Sequence, residues 1–214
     1  ADDGGAIHWS GSNPNILNCY FVNNTAKEGG ANYFYKELDF SNINATFINN
    51  TATEHGGANY FFNGLTNVRI TGNFINNKAI GSGANEFEKP LTNVSIIGNF
   101  INNKANGAGA NSFKELNNVN IIGNYSYNSA HLLAGANYFD QQLTNVNIIG
   151  NYNHNKGGQL GGANYFTKSL VNVNITGNYN DNTASTLGGA NHFIQTLTNV
   201  NIIGNYSDNT AFYG

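Results

Sequence analysis

Asp181, Asp208 and His154 occupy one position of a pattern that returns every 25 to 27 residues. The full row reads Asn23, Asn49, Asn76, Asn102, Tyr127, His154, Asp181, Asp208. If successive repeats stack as coils, row neighbours stand about 4.8 Å apart. Two carboxylates that close can share a proton as an acid/base pair or hold a metal. The competing reading is drift from Asn to the similarly shaped Asp on a solvated face. The row holds no third carboxylate and no Lys or Arg beside it, so we assign it no catalytic residue, no metal and no cofactor. Arg69 is the single arginine, and its row neighbours Asn42 and Ser95 are neutral. A lyase-type site would need acidic company that this arginine lacks. His55 and His131 lie in a variable turn with no second histidine at ligand spacing.

Binding is the more promising chemistry. Two residues after a recurring alanine stand His8, Tyr33, Tyr60, Glu86, Ser112, Tyr138, Tyr165 and His192. The Phe that follows in most of these segments is expected to point inward, so this row is expected to point out and lie exposed. Tyr33, Tyr60, Tyr138, Tyr165 and His192 are the ligand-binding candidates, suited to sugar rings or a partner protein. Mutual ring stacking that stiffens the sheet is the alternative use. Ile97, Ile122, Ile149 and Ile203 form a further apolar row, either a corner of the core or a strip for lateral contact.

The elements that carry these rows follow from the period. Ala6, Ala31, Ala58, Ala84, Ala110, Ala136, Ala163 and Ala190 mark it within Gly-Gly-Ala-Asn-Tyr-Phe and its variants. A fixed period of this size over residues 1–214 means one solenoid domain whose repeats touch only their neighbours. In one repeat, residues 135–139 read as a short strand and 140–142 as a polar turn. Residues 143–148 read as a half-buried strand, Gly150-Asn151 as a turn, and 152–155 as a third short strand. The predicted fold is all-β, a right-handed parallel β-helix of about eight coils. Nothing recurs at helical spacing, and Gly, Asn, Val and Ile are poor helix formers.

Stacking aligns like residues. The expected inward rows are Val68 to Val200, Leu17 with Ile43 to Ile202, Phe21 with Phe47 to Tyr206, and Trp9 with Phe34 to Phe193. Two asparagine rows accompany them. One runs Asn24, Asn50, Asn77, Asn103, Asn128, Asn155, Asn182, Asn209. The other begins at Asn32 and Asn59, and its first-coil position is Ile7, which marks it as inward-facing. An amide both donates and accepts, so such a row can bond coil to coil and satisfy turn backbone. Cys19 aligns with Ala45 and Gly72 and is expected to be a buried small residue.

Composition narrows the partners. The chain holds 45 asparagines, 10% charged residues and a net charge of -3. There is no basic patch for nucleic acid and no apolar run near the roughly 18 residues a membrane helix needs. Seven Asn-X-Ser/Thr sequons, at Asn23, Asn44, Asn49, Asn93, Asn124, Asn174 and Asn205, are compatible with a surface glycoprotein.

The signatures Gly4-Gly5-Ala6-Ile7, Phe21-Val22-Asn23-Asn24-Thr25-Ala26 and Phe47-Ile48-Asn49-Asn50-Thr51-Ala52 resemble the repeats of adhesin-like surface proteins of methanogenic archaea. Chlamydial polymorphic outer-membrane proteins share the same short signatures. Later coils differ by carrying Asn where that family has Ile after the alanine. The resemblance implies secretion, a place at the cell surface or outside the cell, and contact with a glycan or protein of another cell or with identical subunits. The expected function is therefore non-catalytic adhesion or structure. A fibre subunit stacking head to tail is the first alternative, and a polysaccharide lyase or hydrolase the second.

Overall fold

Asparagine and glycine shape the corners of each coil, and branched and aromatic residues fill its inside. In a computed structural model, residues 1–213 are described; Gly214, the last residue of the expected domain, lies outside them. The fold is an all-β parallel solenoid of eight coils, numbered here by the eight marker alanines. Each coil contributes to up to three parallel sheets. A short sheet carries Ile7–Trp9, Asn32–Phe34 and their successors to Asn191–Phe193. A long sheet carries Asn15–Val22 at one end and Leu197–Ser207 at the other. A narrow third strip holds segments such as Lys156–Gly157 and Thr183–Ala184.

The strand boundaries correct the sequence reading in two places. Gly150-Asn151 is not a turn. It lies inside the continuous strand Leu143–Asn153, where Gly150 pairs with Gly123 and Asn151 with Asn124. The corner lies instead at Asn145, in the left-handed region at φ 54°, as do Asn67, Asn93, Asn118, Asn172 and Asn199 in other coils. Simple alternation would place Leu143 and Val146, three residues apart, on opposite faces. The left-handed residue between them lets both face the core, and both are buried. The third strand accordingly starts at Lys156, after the next corner, rather than at Tyr152.

The inward rows form as columns. Val68 to Val173 and Ile43 to Ile175 are buried, with Val200 and Ile202 more open in the last coil. Phe34 and Phe61 stack at 4.7 Å and 4°, and Tyr125 and Tyr152 at 4.8 Å and 3°. Each buried side chain of this size contributes roughly 1.5–3 kcal/mol. In the first coil Leu17 is replaced by Ile16. Ile16 pairs with Ile43 and is 6% exposed, whereas Leu17 is 49% exposed. Asn18, at φ 58°, opens a bulge that shifts the strand by one residue. Cys19 pairs with Ala45 as expected, but is only half-buried against the core.

Both inward asparagine rows are hydrogen-bonded ladders. Asn155 Nδ2 donates to Asn182 Oδ1 at 2.9 Å and to the Tyr125 carbonyl at 2.9 Å. Its own Oδ1 accepts from Asn128 N and Nδ2. In the other row Asn32, Asn59, Asn85, Asn111, Asn137 and Asn164 each donate to the next coil. Ile7 offers Asn32 no donor, and Asn32 Oδ1 is left without a partner. Outward asparagines form ladders of the opposite sense. Asn99, Asn124, Asn151, Asn178 and Asn205 each donate back to the preceding coil.

Candidate functional site

The row that holds Asp181 and Asp208 is a backbone corner. All eight members, from Asn23 to Asp208, have φ between 52° and 57°. Asn and Asp tolerate this conformation better than other residues with side chains, so the corner itself explains the aspartates. His154 Nε2 lies 3.5 Å from Asp181 Oδ2, with both side chains about half exposed, and its ring lies 4.9 Å from that of Tyr127, tilted by 33°. A pair this exposed is worth little to stability. Arg69 pairs across the sheet with Asn42 and Ser95, as its register implied.

The row His8 to His192 does stand on the short sheet in the expected register. The expectation that it lies exposed is corrected. Tyr33, Tyr60 and Tyr165 are 5%, 4% and 6% exposed, and Tyr138 and His192 are half-buried. The rings cover one another: Tyr33 lies 5.0 Å from His8 and 5.6 Å from Tyr60, and Tyr138 lies 5.5 Å from Tyr165. Tyr35 and Phe62, two residues further on, flank Tyr33 and stack with each other at 5.7 Å and 7°. These two remain substantially exposed. Burial, then the charges of Glu28 and Asp3, push the Tyr33 hydroxyl up to about 12. Burial lowers the His192 pKa.

A titratable cluster borders this aromatic face. Glu28 pairs with His55 across coils, and the donor atoms of Glu28, Glu54 and His55 all lie within 4.8 Å of one another. These residues have metal-ligand types, and Lys27 Nζ, 3.5 Å from Glu54, supplies a cation beside them. Glu86 stands where four other coils carry Tyr. Its buried carboxylate reaches back to His55 Nδ1 at 2.9 Å and accepts from Gly56 N at 3.1 Å. That bond raises the His55 pKa, against the opposing effect of burial. Burial, then Asp3, raises Glu28, with Glu54 adding to the rise and His55 and Lys27 pulling it back. Reading rows one residue type at a time missed this cluster. The signal was the coil register, which sets Glu28 beside His55.

The isoleucine row lines an open groove on the outer face of the long sheet, about 440 Å³ in volume. Ile97, Ile122 and Ile149 form one wall. Asn99, Asn124 and Asn151 form the other, already joined in their ladder. The floor is glycine. A Cβ on Gly98 would run into the carbonyl oxygen of Gly72, and one on Gly123 into that of Gly98. The row faces inward, as buried Ala45 in the same row shows, so the groove floor is bare backbone, and no charged residue lines the groove. Of the two uses foreseen for the isoleucines, a core corner or a lateral strip, the exposure of Ile149 and Ile203 rules out a core corner at those two positions.

Comparison with family models, with curated proteins and with solved structures finds no match to this chain.

Proposed function

We propose that this chain is a non-catalytic solenoid of the cell surface or extracellular space, acting in adhesion or as a structural element, akin to the adhesin-like proteins its repeats resemble. The observation that carries this reading is the outer face of the long sheet. There the same neutral chemistry recurs coil after coil in ladders such as Asn73–Asn99–Asn124–Asn151. Repeated weak contacts in fixed spacing gain avidity that a single contact lacks, which suits attachment to a glycan or protein of another surface. The test is binding of the purified chain to intact cells and to immobilised glycans, followed by analysis of the supernatant. Retention without released product is expected. Cleavage of a polysaccharide, lost in Asp208→Asn, would overturn the non-catalytic reading.

A second reading, a fibre subunit stacking end to end, draws on the rows themselves. The Phe34–Phe61–Phe87 column and the Asn128–Asn155–Asn182 ladder repeat one contact from coil to coil. A contact that each coil makes with the next can be made in the same way between subunits, head to tail. Sedimentation of the 214-residue chain at rising concentration tests it; a monomeric rod throughout would sink the fibre.

A further inference from the structure

We propose that the glycine-floored groove of the long sheet binds a linear, uncharged polysaccharide lying parallel to the solenoid axis, with one sugar residue to each coil. The proposal rests on the adhesion reading and names the ligand class for it.

Four features of the groove select this occupant. First, its lining is neutral from Asn44 in coil 2 to Asn151 in coil 6, so nothing there offsets the desolvation of a charged polymer. Second, its walls differ in kind. Over coils 4 to 6 Ile97, Ile122 and Ile149 present branched apolar surface to the C–H faces of sugar rings, with polar Thr71 and Asn44 continuing that wall in coils 3 and 2, while the opposite wall is amide from Asn73 to Asn151. Third, those amides are only part-used. Asn124 spends one N–H on Asn99 Oδ1, and its own Oδ1 accepts from Asn151. One N–H and one lone pair remain on Asn124. A group that both donates and accepts matches a hydroxyl, which does the same.

Fourth, the groups repeat at the coil spacing of about 4.8 Å, close to the advance of an extended chain of pyranoses. A peptide strand advances about 3.3 Å per residue and would drift out of step within a few coils. It would also find no free backbone edge, because the floor is already paired coil to coil, Gly72 with Gly98 and Gly98 with Gly123. The bare floor lets the ring edges sit against backbone. Glycine at Gly72, Gly98, Gly123 and Gly150 is required by the packing of the coils themselves, because a Cβ there would collide with the neighbouring coil.

The decisive measurement is calorimetric titration with neutral β-linked glucan, mannan and xylan oligosaccharides of increasing length, beside galacturonate oligomers as the charged control. Affinity for at least one neutral series is expected to rise with length until the oligomer spans the five coils from Asn44 to Asn151, and then to level off. Ile122→Lys places a charge on the apolar wall and is expected to weaken binding about tenfold or more. Its thermal midpoint and circular dichroism would verify that the coil remains intact. Tyr35→Ala/Phe62→Ala, on the other sheet, is expected to leave affinity unchanged.

Absence of binding by every neutral series, binding independent of length, or binding indifferent to Ile122→Lys would each overturn the groove assignment. The adhesion reading fails separately. If the chain holds to cells while all oligosaccharides fail, the groove is refuted and adhesion stands; if neither cells nor glycans are bound, both fall.

Discussion

Asn151 and Asn155 lie four residues apart in coil 6 and do different things with the same side chain. Asn155 is fully buried. It bonds to asparagines on both sides and to the Tyr125 carbonyl, and it satisfies the backbone N–H of Asn128. Asn151 sits on the outer face, where its amide bonds back to Asn124 and accepts from Asn178, with water at hand for every group. The geometry of the ladder bonds is nearly the same, 2.9 Å for each donation. What differs is the cost of losing them. Water replaces a lost partner outside, whereas inside the partner stays orphaned at about 1–3 kcal/mol per group. A residue that dominates the composition is thus structural inside and available for recognition outside.

The comparison can be broken most forcefully from the inside. Asn155→Ala strips the side-chain partner from Asn128 N and from the Tyr125 carbonyl and one of two donors from Asn182 Oδ1, which keeps the backbone N–H of residue 155, and is expected to cost roughly 3 kcal/mol. A urea midpoint close to that of the parent chain would contradict the buried ladder's role. A smaller effect, of opposite sign, is expected from Tyr152→Phe. The Tyr152 hydroxyl is buried without a hydrogen-bond partner, and the amides of Asn164 and Asn137 lie close enough only to temper the rise in its pKa that burial causes. Phe74 and Phe100 fill the same row without a hydroxyl. Removing the Tyr152 hydroxyl should raise stability by about 1 kcal/mol; a loss on denaturation would show that the hydroxyl is bonded to the inner ladder. The least change is expected from Asn151→Ala, within about 0.5 kcal/mol of the parent. A deficit near that of Asn155→Ala would erase the distinction between inside and outside.

The period, the parallel stacking and the identity of the inward rows were legible because each row repeats one residue type about eight times, and a register seen that often leaves no alternative. Even the orientation of the Asn32 row was readable from Ile7. The corners were harder. Gly150-Asn151 has turn composition, yet its glycine serves close approach between coils rather than chain reversal. The true corner, Asn145, was disguised as the polar member of an alternating strand. Asn18 hides its bulge because an inserted residue in a single coil has no row to betray it.

Of the site candidates, direction was legible and exposure was not. Tyr33 and Tyr60 do point away from the core side chains of their strands, but period-2 reasoning gives no account of what neighbouring rings cover. The cluster of Glu28, Glu54 and His55 escaped for a related reason. It combines unlike residue types from two coils, with Glu28 and His55 each three residues before their coil's marker, Ala31 and Ala58, so a row read for one residue type does not show it.

The opposed senses of the inner and outer ladders have an electrical consequence. A side-chain amide carries a dipole much like that of a peptide unit, and in a one-way ladder such dipoles add head to tail as they do along a helix. The inward ladders direct their positive ends toward coil 8. The outward ladders direct theirs toward coil 1. Antiparallel columns side by side cancel much of each other's far field, as alternating strand dipoles do within a sheet. A rod built from such opposed amide columns therefore ends with little net side-chain polarity along its length, and can be lengthened coil by coil without charging its tips.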